Sequence, residues 1–324
     1  MKFIVTGGAG FIGHNVVRDL ESQGHTCFVL DSVTNYGFVN KAELEYLRTE
    51  RLAKMKAGVH YVDLREHKQV EDFFRTFSAD CAAVIHLASF PRQKVVSKNP
   101  VWGSDVMSTG LINLLELTKN YHIPKFVYIS SSMVYGDFKD DVTEDAVCQP
   151  QGQYGIMKLM GEHLVKDYTR RGCFGHVIIR PSAVYGEYDV EDRVVSKFML
   201  GAMRGETLKV NGANETLDFT YVEDAAAGIA AATLSKKAVN NTYNITKSHS
   251  TSLLQAASLA IRIAGSGSVA VGNRDAEFPS RGALNIDRAR RDFGFAPRVD
   301  VEEGFERYHR WFQTSPYWKT KLTR

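Results

Sequence analysis

The chain has 324 residues, with 40 Lys+Arg against 37 Asp+Glu and 44% apolar residues. That length allows about two domains at roughly 150 residues each, and the ordinary apolar and charged fractions exclude a disordered or fibrous protein. A formal charge of +3 supplies no basic footprint for nucleic acid, which needs clustered Lys and Arg.

In the first half, short apolar runs alternate with longer amphipathic stretches. Residues 3–6, 27–30, 84–87 and 126–129 read as buried strands, because they are short, continuously apolar and rich in β-branched and aromatic side chains. Residues 14–23, 70–77 and 105–120 have helical spacing. The long connection 32–58 contains a helix around 41–55, near the adenosine end of any bound cofactor. A helical stretch over 154–171 leads to a further strand at 176–179, and 224–235 is Ala-rich and helical. Alternation of this kind predicts an α/β fold, a parallel sheet covered by helices on both faces.

Thr6-Gly7-Gly8-Ala9-Gly10-Phe11-Ile12-Gly13 directly follows the first strand and opens a helix. A dinucleotide site needs glycine there for a tight turn, for close approach of backbone to a pyrophosphate, and for helix–strand packing. Gly7, Gly10 and Gly13 fill those positions. The phosphates are then expected on the free N–H groups at the helix N-terminus, around Phe11, Ile12 and Gly13. Asp31 ends the second strand, 18 residues after Gly13. A carboxylate there accepts from a ribose 2′-hydroxyl and repels a 2′-phosphate, which favours NAD over NADP. Asp63 and Leu64, after the third strand, are candidate adenine contacts.

Tyr154-Gly155-Ile156-Met157-Lys158 starts a helix, so the phenol and the ammonium, at i and i+4, share one face. A phenol ionises near pH 10 when unperturbed. A neighbouring ammonium and a positive nicotinamide ring would both favour phenolate, giving a base nearer the working pH. Ser130-Ser131-Ser132-Met133-Val134-Tyr135-Gly136 follows the strand at 126–129. Hydroxyls at the carboxyl end of a parallel strand sit where such sheets bind ligands, so Ser131 or Ser132 can hydrogen-bond the substrate oxygen that is oxidised.

With these residues the chain resembles the extended short-chain dehydrogenase/reductase family, the NAD-dependent sugar-nucleotide epimerases and dehydratases. The resemblance spans nearly the whole length. It rests on the glycine turn, on His86-Leu87-Ala88-Ser89, Asn113-Leu114-Leu115-Glu116, the Ser131 and Tyr154 motifs, Arg180-Pro181, Asp218 to Asp224 (DFTYVED) and Phe293-Gly294-Phe295-Ala296-Pro297. It implies a doubly wound parallel sheet (Rossmann) with a second, smaller substrate-binding domain, NAD as cofactor, a nucleotide-sugar substrate and a homodimer formed through the central helix and the Tyr/Lys helix. It also implies roles. Tyr154 is the base, Lys158 holds the nicotinamide ribose and lowers the Tyr154 pKa, and Ser131, four residues before Tyr135, binds the reacting oxygen. Ser132 and Met133 stand beside the sugar. Leu87, Ala88, Ser89 and the stretch 181–184 from Pro181 onward flank the cofactor.

The departures from the family pattern narrow the reaction. Dehydratases and decarboxylases resemble a motif with Glu at the position of Met133, and 3,5-epimerases one with Cys. Met133 has no titratable proton, which leaves reversible hydride transfer at one carbon, as in a 4-epimerase that does not consume NAD. A dehydratase, a dehydrogenase or reductase of the same fold, and a non-catalytic NAD-binding scaffold are the alternatives. Many members place Asn at Ala183 and Arg at Leu217 to grip the nucleotide diphosphate. Arg281, Arg193 or Arg204 can take that anion instead, since a guanidinium suits phosphate.

The expected division is a dinucleotide-binding domain over 1–180 with a return around 215–245, and a smaller substrate domain over 181–214 and 246–324. The four cysteines form no CxxC pair and none of the ten histidines has metal spacing. No apolar run approaches the roughly 20 residues of a membrane span, and Met1-Lys2 leads at once into a strand rather than a signal peptide. A cytoplasmic enzyme with reduced thiols and neither metal, nucleic-acid nor membrane partner is expected. Asp140-Asp141 and Glu144-Asp145 read as a solvated charge run.

Overall fold

The computed structural model describes residues 1–322 except Tyr36, Phe38 and Pro91. The first half runs β1 (Lys2–Thr6), α1 (Phe11–Ser22), β2 (Thr26–Asp31), α2 (Lys41–Leu52), β3 (Val59–Tyr61), α3 (His67–Phe77), β4 (Cys81–His86), α4 (Gln93–Lys98), α5 (Pro100–Asn120) and β5 (Lys125–Ile129). Then follow α6 (Gln153–Arg170), β6 (Gly175–Pro181), β7 (Val184–Tyr185), α7 (Val194–Met203), β8 (Thr207–Asn211), β9 (Thr216–Asp218), β10 (Thr220–Tyr221) and α8 (Val222–Leu234). The last elements are β11 (Asn241–Ile245), β12 (Ser250–Ser252), α9 (Leu253–Ala264), β13 (Ser268–Gly272), α10 (Asp287–Phe293), α11 (Val301–Thr314) and α12 (Pro316–Leu322). Helix α5 starts five residues before the periodicity suggests, because Pro100 is well suited to the first turn of a helix.

Seven strands form one parallel sheet in the order β11-β6-β5-β4-β1-β2-β3. The order reverses between β1 and β4, and the crevice at that switch point is where doubly wound sheets bind ligands. Both faces are buried, which explains the continuous apolar runs. Phe3, Val5, Val127, Ile129, Val177 and Ile179 pack on α1 and α8 through Val16, Leu20 and Ile229. Their alternates Ile4, Phe126, Tyr128 and Ile178 pack on α3, α5 and α6 through Phe74, Leu114 and Val165. Strand β11 escapes the sequence reading, since Asn241, Thr242 and Asn244 break its apolar pattern. A third core is built almost wholly from the later chain and gathers Phe198, Met199, Phe219, Ala260, Phe305, Trp311, Phe312 and Trp318. The fold is thus the doubly wound α/β class with a second, smaller unit.

A buried ion pair fastens α6 to the sheet. Arg180 on β6 donates Nε to Glu162 Oε1 at 2.9 Å and Nη2 to Oε2 at 2.6 Å. Burial works against the Arg180 charge, but Glu162 more than offsets it and raises its pKa. Ser130 donates to Glu162 Oε1 at 2.6 Å. Arg180 Nη1 donates to the Tyr135 hydroxyl at 2.9 Å, which donates to Asn244 Oδ1 at 2.8 Å. Of the polar residues that hide β11, Asn244 is therefore a partner of this network. The acidic run is corrected at one residue: Glu144 is buried and accepts from Asn244 N at 2.9 Å, while Asp140, Asp141 and Asp145 are exposed and Asp140 also accepts from Ala283 N at 2.7 Å.

Removing one partner leaves the other charge buried and uncompensated. Glu162→Gln is predicted to lower unfolding stability by about 3–5 kcal/mol, as read by chemical denaturation. A loss below about 1 kcal/mol contradicts this assignment.

Candidate active site

The glycine turn is shaped by close backbone contacts. Gly7 has φ +73°, and a Cβ there would lie 2.5 Å from Ala88 N. A Cβ on Gly13 would lie 2.1 Å from Gly7 O. Neither position admits a side chain, and both keep β1, β4 and α1 close together. Gly10 precedes α1, whose first N–H groups, from Phe11 onward, have no intrahelical partner. The Phe11 and Ile12 side chains instead pack on Val184, Val222 and Ala225. Leu87 N and Ala88 N both donate to Thr6 O at 3.1 Å, and Ser89 Oγ donates to Phe90 O at 3.2 Å. Pro181 ends β6 and is buried. His86 bonds Thr6 Oγ1 through Nδ1 at 2.7 Å, and burial pushes its pKa to about 3. It is a neutral core residue.

Asp31 closes the other side of the turn. Its Oδ2 accepts from Ala9 N at 3.0 Å and its Oδ1 from Val33 N at 2.7 Å. Burial raises its pKa, and these two bonds pull the other way. Asp63 is engaged by Arg65, whose Nη2 lies 2.6 Å from Oδ2, and Leu64 beside it is buried.

The three serines after β5 have three different partners. Ser130 serves Glu162, Ser132 donates to Ser182 Oγ at 3.1 Å, and Ser131 is hydrogen-bonded to the Tyr154 side chain. Ser131 Oγ also accepts from Met133 N at 3.2 Å, capping the short 3₁₀ turn Ser132–Val134. Burial raises the Tyr154 pKa, while the Arg193 charge and the Ser131 hydrogen bond oppose the shift. The Lys158 Nζ lies 5.8 Å from the Tyr154 ring centroid and donates to Ile129 O at 2.8 Å. Burial lowers its pKa to about 7, against the pull of Glu162. The Arg193 charge thus acts on the phenol in addition to the Lys158 ammonium that lies against its ring. Met133 is buried and supplies no proton.

Arg193 precedes α7, with Nε 3.5 Å from Asp189 Oδ2. Arg281 is half-buried, and its Nε is buried without a partner among the described residues. Burial first, and then the Arg193 charge, lowers its pKa to about 10. A guanidinium so placed has planar donors suited to an anion. Arg204 is instead paired with Glu191 at 3.4 Å. Ala183 and Leu217 are partly buried apolar positions against the third core.

Three residues went unread in the sequence. Glu162 stands four and eight residues after Lys158 and Tyr154, a helical spacing that could have revealed it. Gln93 accepts from Tyr154 N through Oε1 at 3.1 Å. Arg92 is bound to Asp192, with Nη1 2.9 Å from Oδ2. Residues that meet partners 61 and 100 positions later in the chain leave no periodic signal.

A phenol, a serine hydroxyl and an amine at the carboxyl edge of a doubly wound sheet suit proton transfer coupled to hydride transfer. The NAD dependent epimerase/dehydratase family matches the chain over residues 3–246. The chain is 30% identical over 322 residues to a protein provisionally named UDP-glucose 4-epimerase in Methanocaldococcus jannaschii, covering 96% of this chain and 98% of that one. It superposes with a TM-score of 0.87, at 26% identity, on UDP-glucuronic acid 4-epimerase from Bacillus cereus in complex with UDP-glucuronic acid and NAD, covering 96% and 98% of the two chains. Thermus thermophilus UDP-glucose 4-epimerase complexed with NAD gives 0.85 at 25% identity, covering 97% and 100%. The chain belongs to the NAD-dependent epimerase/dehydratase family. It is an enzyme and its cofactor is NAD, which the side-chain-free cradle of Gly7 and Gly13 fits.

The Lys158 environment can be read by titration. In the cofactor-free protein, NMR of selectively labelled lysines should show Lys158 losing its proton near pH 7, whereas a free lysine titrates near 10.4. A value above about 9 contradicts the burial described.

Proposed function

We propose that the enzyme interconverts the two C4 epimers of a nucleotide sugar, with UDP as the nucleotide. The observation that carries the reading is the Ser131–Tyr154–Lys158 group with Met133 in place of an acid. NAD, when bound, supplies reversible hydride acceptance at the reacting carbon. The residues of this chain do the rest. Ser131 and Tyr154 hold the C4 oxygen between them, and Tyr154 takes its proton on oxidation and gives it back on reduction. Tyr154 needs positive charge to serve as base, because burial favours its neutral form. Arg193 supplies part of that charge. Lys158 has one bond among the described residues, to Ile129 O, which leaves donors for the cofactor's ribose. Phe11, Ile12 and Gly13 face the pyrophosphate with their N–H groups. Asp31 receives the adenosine ribose, with Asp63, Leu64, Leu87, Ala88, Ser89 and Pro181 around the cofactor. Arg281, half-buried with an orphaned Nε, holds the substrate diphosphate in place of the residues absent at Ala183 and Leu217. With no acid at Met133, elimination after oxidation lacks a proton donor there.

The UDP-sugar names of the relatives support the nucleotide. The division of the chain into 1–180 with 215–245, and 181–214 with 246–324, is supported by β11 returning to the main sheet beside β6 and by the third core's late-chain composition. A homodimer through α5 and α6 is supported by exposed Val101 and Ile112 on α5 and Ile156 on α6. A cytoplasmic location is supported by four free cysteines, and no described helix is long and apolar enough to cross a membrane.

Tyr154→Phe tests the chemistry. NAD binding should survive and kcat for UDP-sugar epimerisation should fall by about 10²–10⁴-fold, the usual worth of a general acid–base. Near-native kcat in the variant contradicts the assignment. In the wild type, steady growth of absorbance from reduced cofactor during turnover would indicate a dehydrogenase instead.

A further inference from the structure

We propose that Gln93 is a positioning residue for the reaction: its side-chain amide caps α6 and so sets the Tyr154 phenol against Ser131. The inference rests on reading Tyr154 as the general acid–base and adds the group that holds it in place. The first N–H groups of a helix have no intrahelical partner, and a Ser, Thr, Asp or Asn at the N-cap normally accepts from one of them. The N-cap of α6 is Gly152, which has no side chain to offer. Gln93 fills that role from another element. Its Oε1 accepts from the backbone N–H of Tyr154 itself, at 3.1 Å. Its Nε2 donates to Ser97 Oγ at 3.2 Å, one turn further along α4, which fixes how the amide is turned.

Gly152 is shaped to receive this amide. It has φ +77°, and a Cβ there would lie 2.1 Å from Gln93 Nε2 and 2.7 Å from Oε1. Any side chain at Gly152 would push the cap away. The same first turn of α6 is pressed on the Ser131 motif, since a Cβ on Gly155 would lie 2.7 Å from Met133 O. The turn is thus held at two points, by Gln93 and by the segment that Ser131 caps. The Tyr154 ring packs on Phe90, Val95, Val96 and Met107, but apolar contact is non-directional and does not fix how far the ring reaches. The bond to Tyr154 N does, because it pins the backbone from which the phenol projects. Gln93 is buried, so water does not compete for that bond. It opens α4 just after Leu87, Ala88 and Ser89, so one short segment flanks the cofactor and holds the base.

The test is steady-state epimerisation of a UDP-sugar by the NAD-loaded enzyme. Gln93→Leu removes the acceptor at nearly constant volume. It should lower kcat by about tenfold or more, since misplacing a reacting group by about 1 Å can cost 10²-fold, and should leave KM within about threefold. Made in the Tyr154→Phe background, the same substitution should cost less than about twofold further, because the group that it positions is gone. A Gln93→Leu enzyme with wild-type kcat overturns the proposal. So does an equal fractional loss in both backgrounds, which would make Gln93 a support of the fold alone. Bound NAD and melting temperature report the fold. If Gln93→Leu folds poorly, Ser97→Ala at an exposed position frees the amide instead. It should lower kcat about two- to tenfold, the scale of one hydrogen bond, and an unchanged kcat there counts against the proposal. Near-native kcat in Tyr154→Phe alone would remove the acid–base reading, whereas a loss there with full activity in Gln93→Leu overturns only this inference.

Discussion

The bidentate pair between Arg180 and Glu162 is the constraint on which the rest of the site depends. It joins the sheet at β6 to the helix that carries Tyr154 and Lys158. Because Tyr154, Lys158 and Glu162 lie four residues apart, they share one face of α6, and fixing Glu162 fixes the other two. The same carboxylate takes the Ser130 hydroxyl, so the turn that presents Ser131 is set by the same anchor. Glu162 also opposes the burial that drives Lys158 toward its neutral form. One ion pair thus controls both the placement of the phenol and the charge state of the amine behind it. Such a pair is costly to desolvate and stabilises chiefly by being complete.

Much of this architecture was legible in the sequence for physical reasons. A strand buried on both faces must be continuously apolar, and β1, β4 and β5 read so. The glycine turn was legible because Gly7 and Gly13 have no room for a side chain, whatever the rest of the chain does. Asp31 followed from its place at the end of β2. What stayed hidden is long-range. Strand β11 carries Asn244 because its amide completes a network with Tyr135 and Arg180. Glu144 reads as surface charge because nothing local shows that it caps Asn244 N. Gln93, at the start of α4, meets Tyr154 N and Arg92 meets Asp192, and no spacing rule connects them. The residues alone left Ser131 and Ser132 undecided, and the resemblance favoured Ser131. In the structure the two hydroxyls point to different partners, Tyr154 and Ser182.

The electrostatics of the site add a second cation to the expectation about the base. The sequence suggests that Lys158 lowers the Tyr154 pKa. In the folded chain Lys158 is itself desolvated, which lowers its pKa to about 7, and the Arg193 charge also favours the ionised phenol. The phenol is therefore tuned in part by a residue of the later chain, just before α7. A net charge of +3 says nothing of such placed arginines, since the sum over a surface says little about a buried group.

The central claim is that hydride leaves and returns at one carbon with no carbon-bound proton exchanged with solvent. Epimerisation of a UDP-sugar in D2O, followed by mass spectrometry and NMR of the product, reads this directly. The account predicts inverted product with no deuterium on any ring carbon. Deuterium at carbon, from elimination or from enolisation at a neighbouring position, would contradict it.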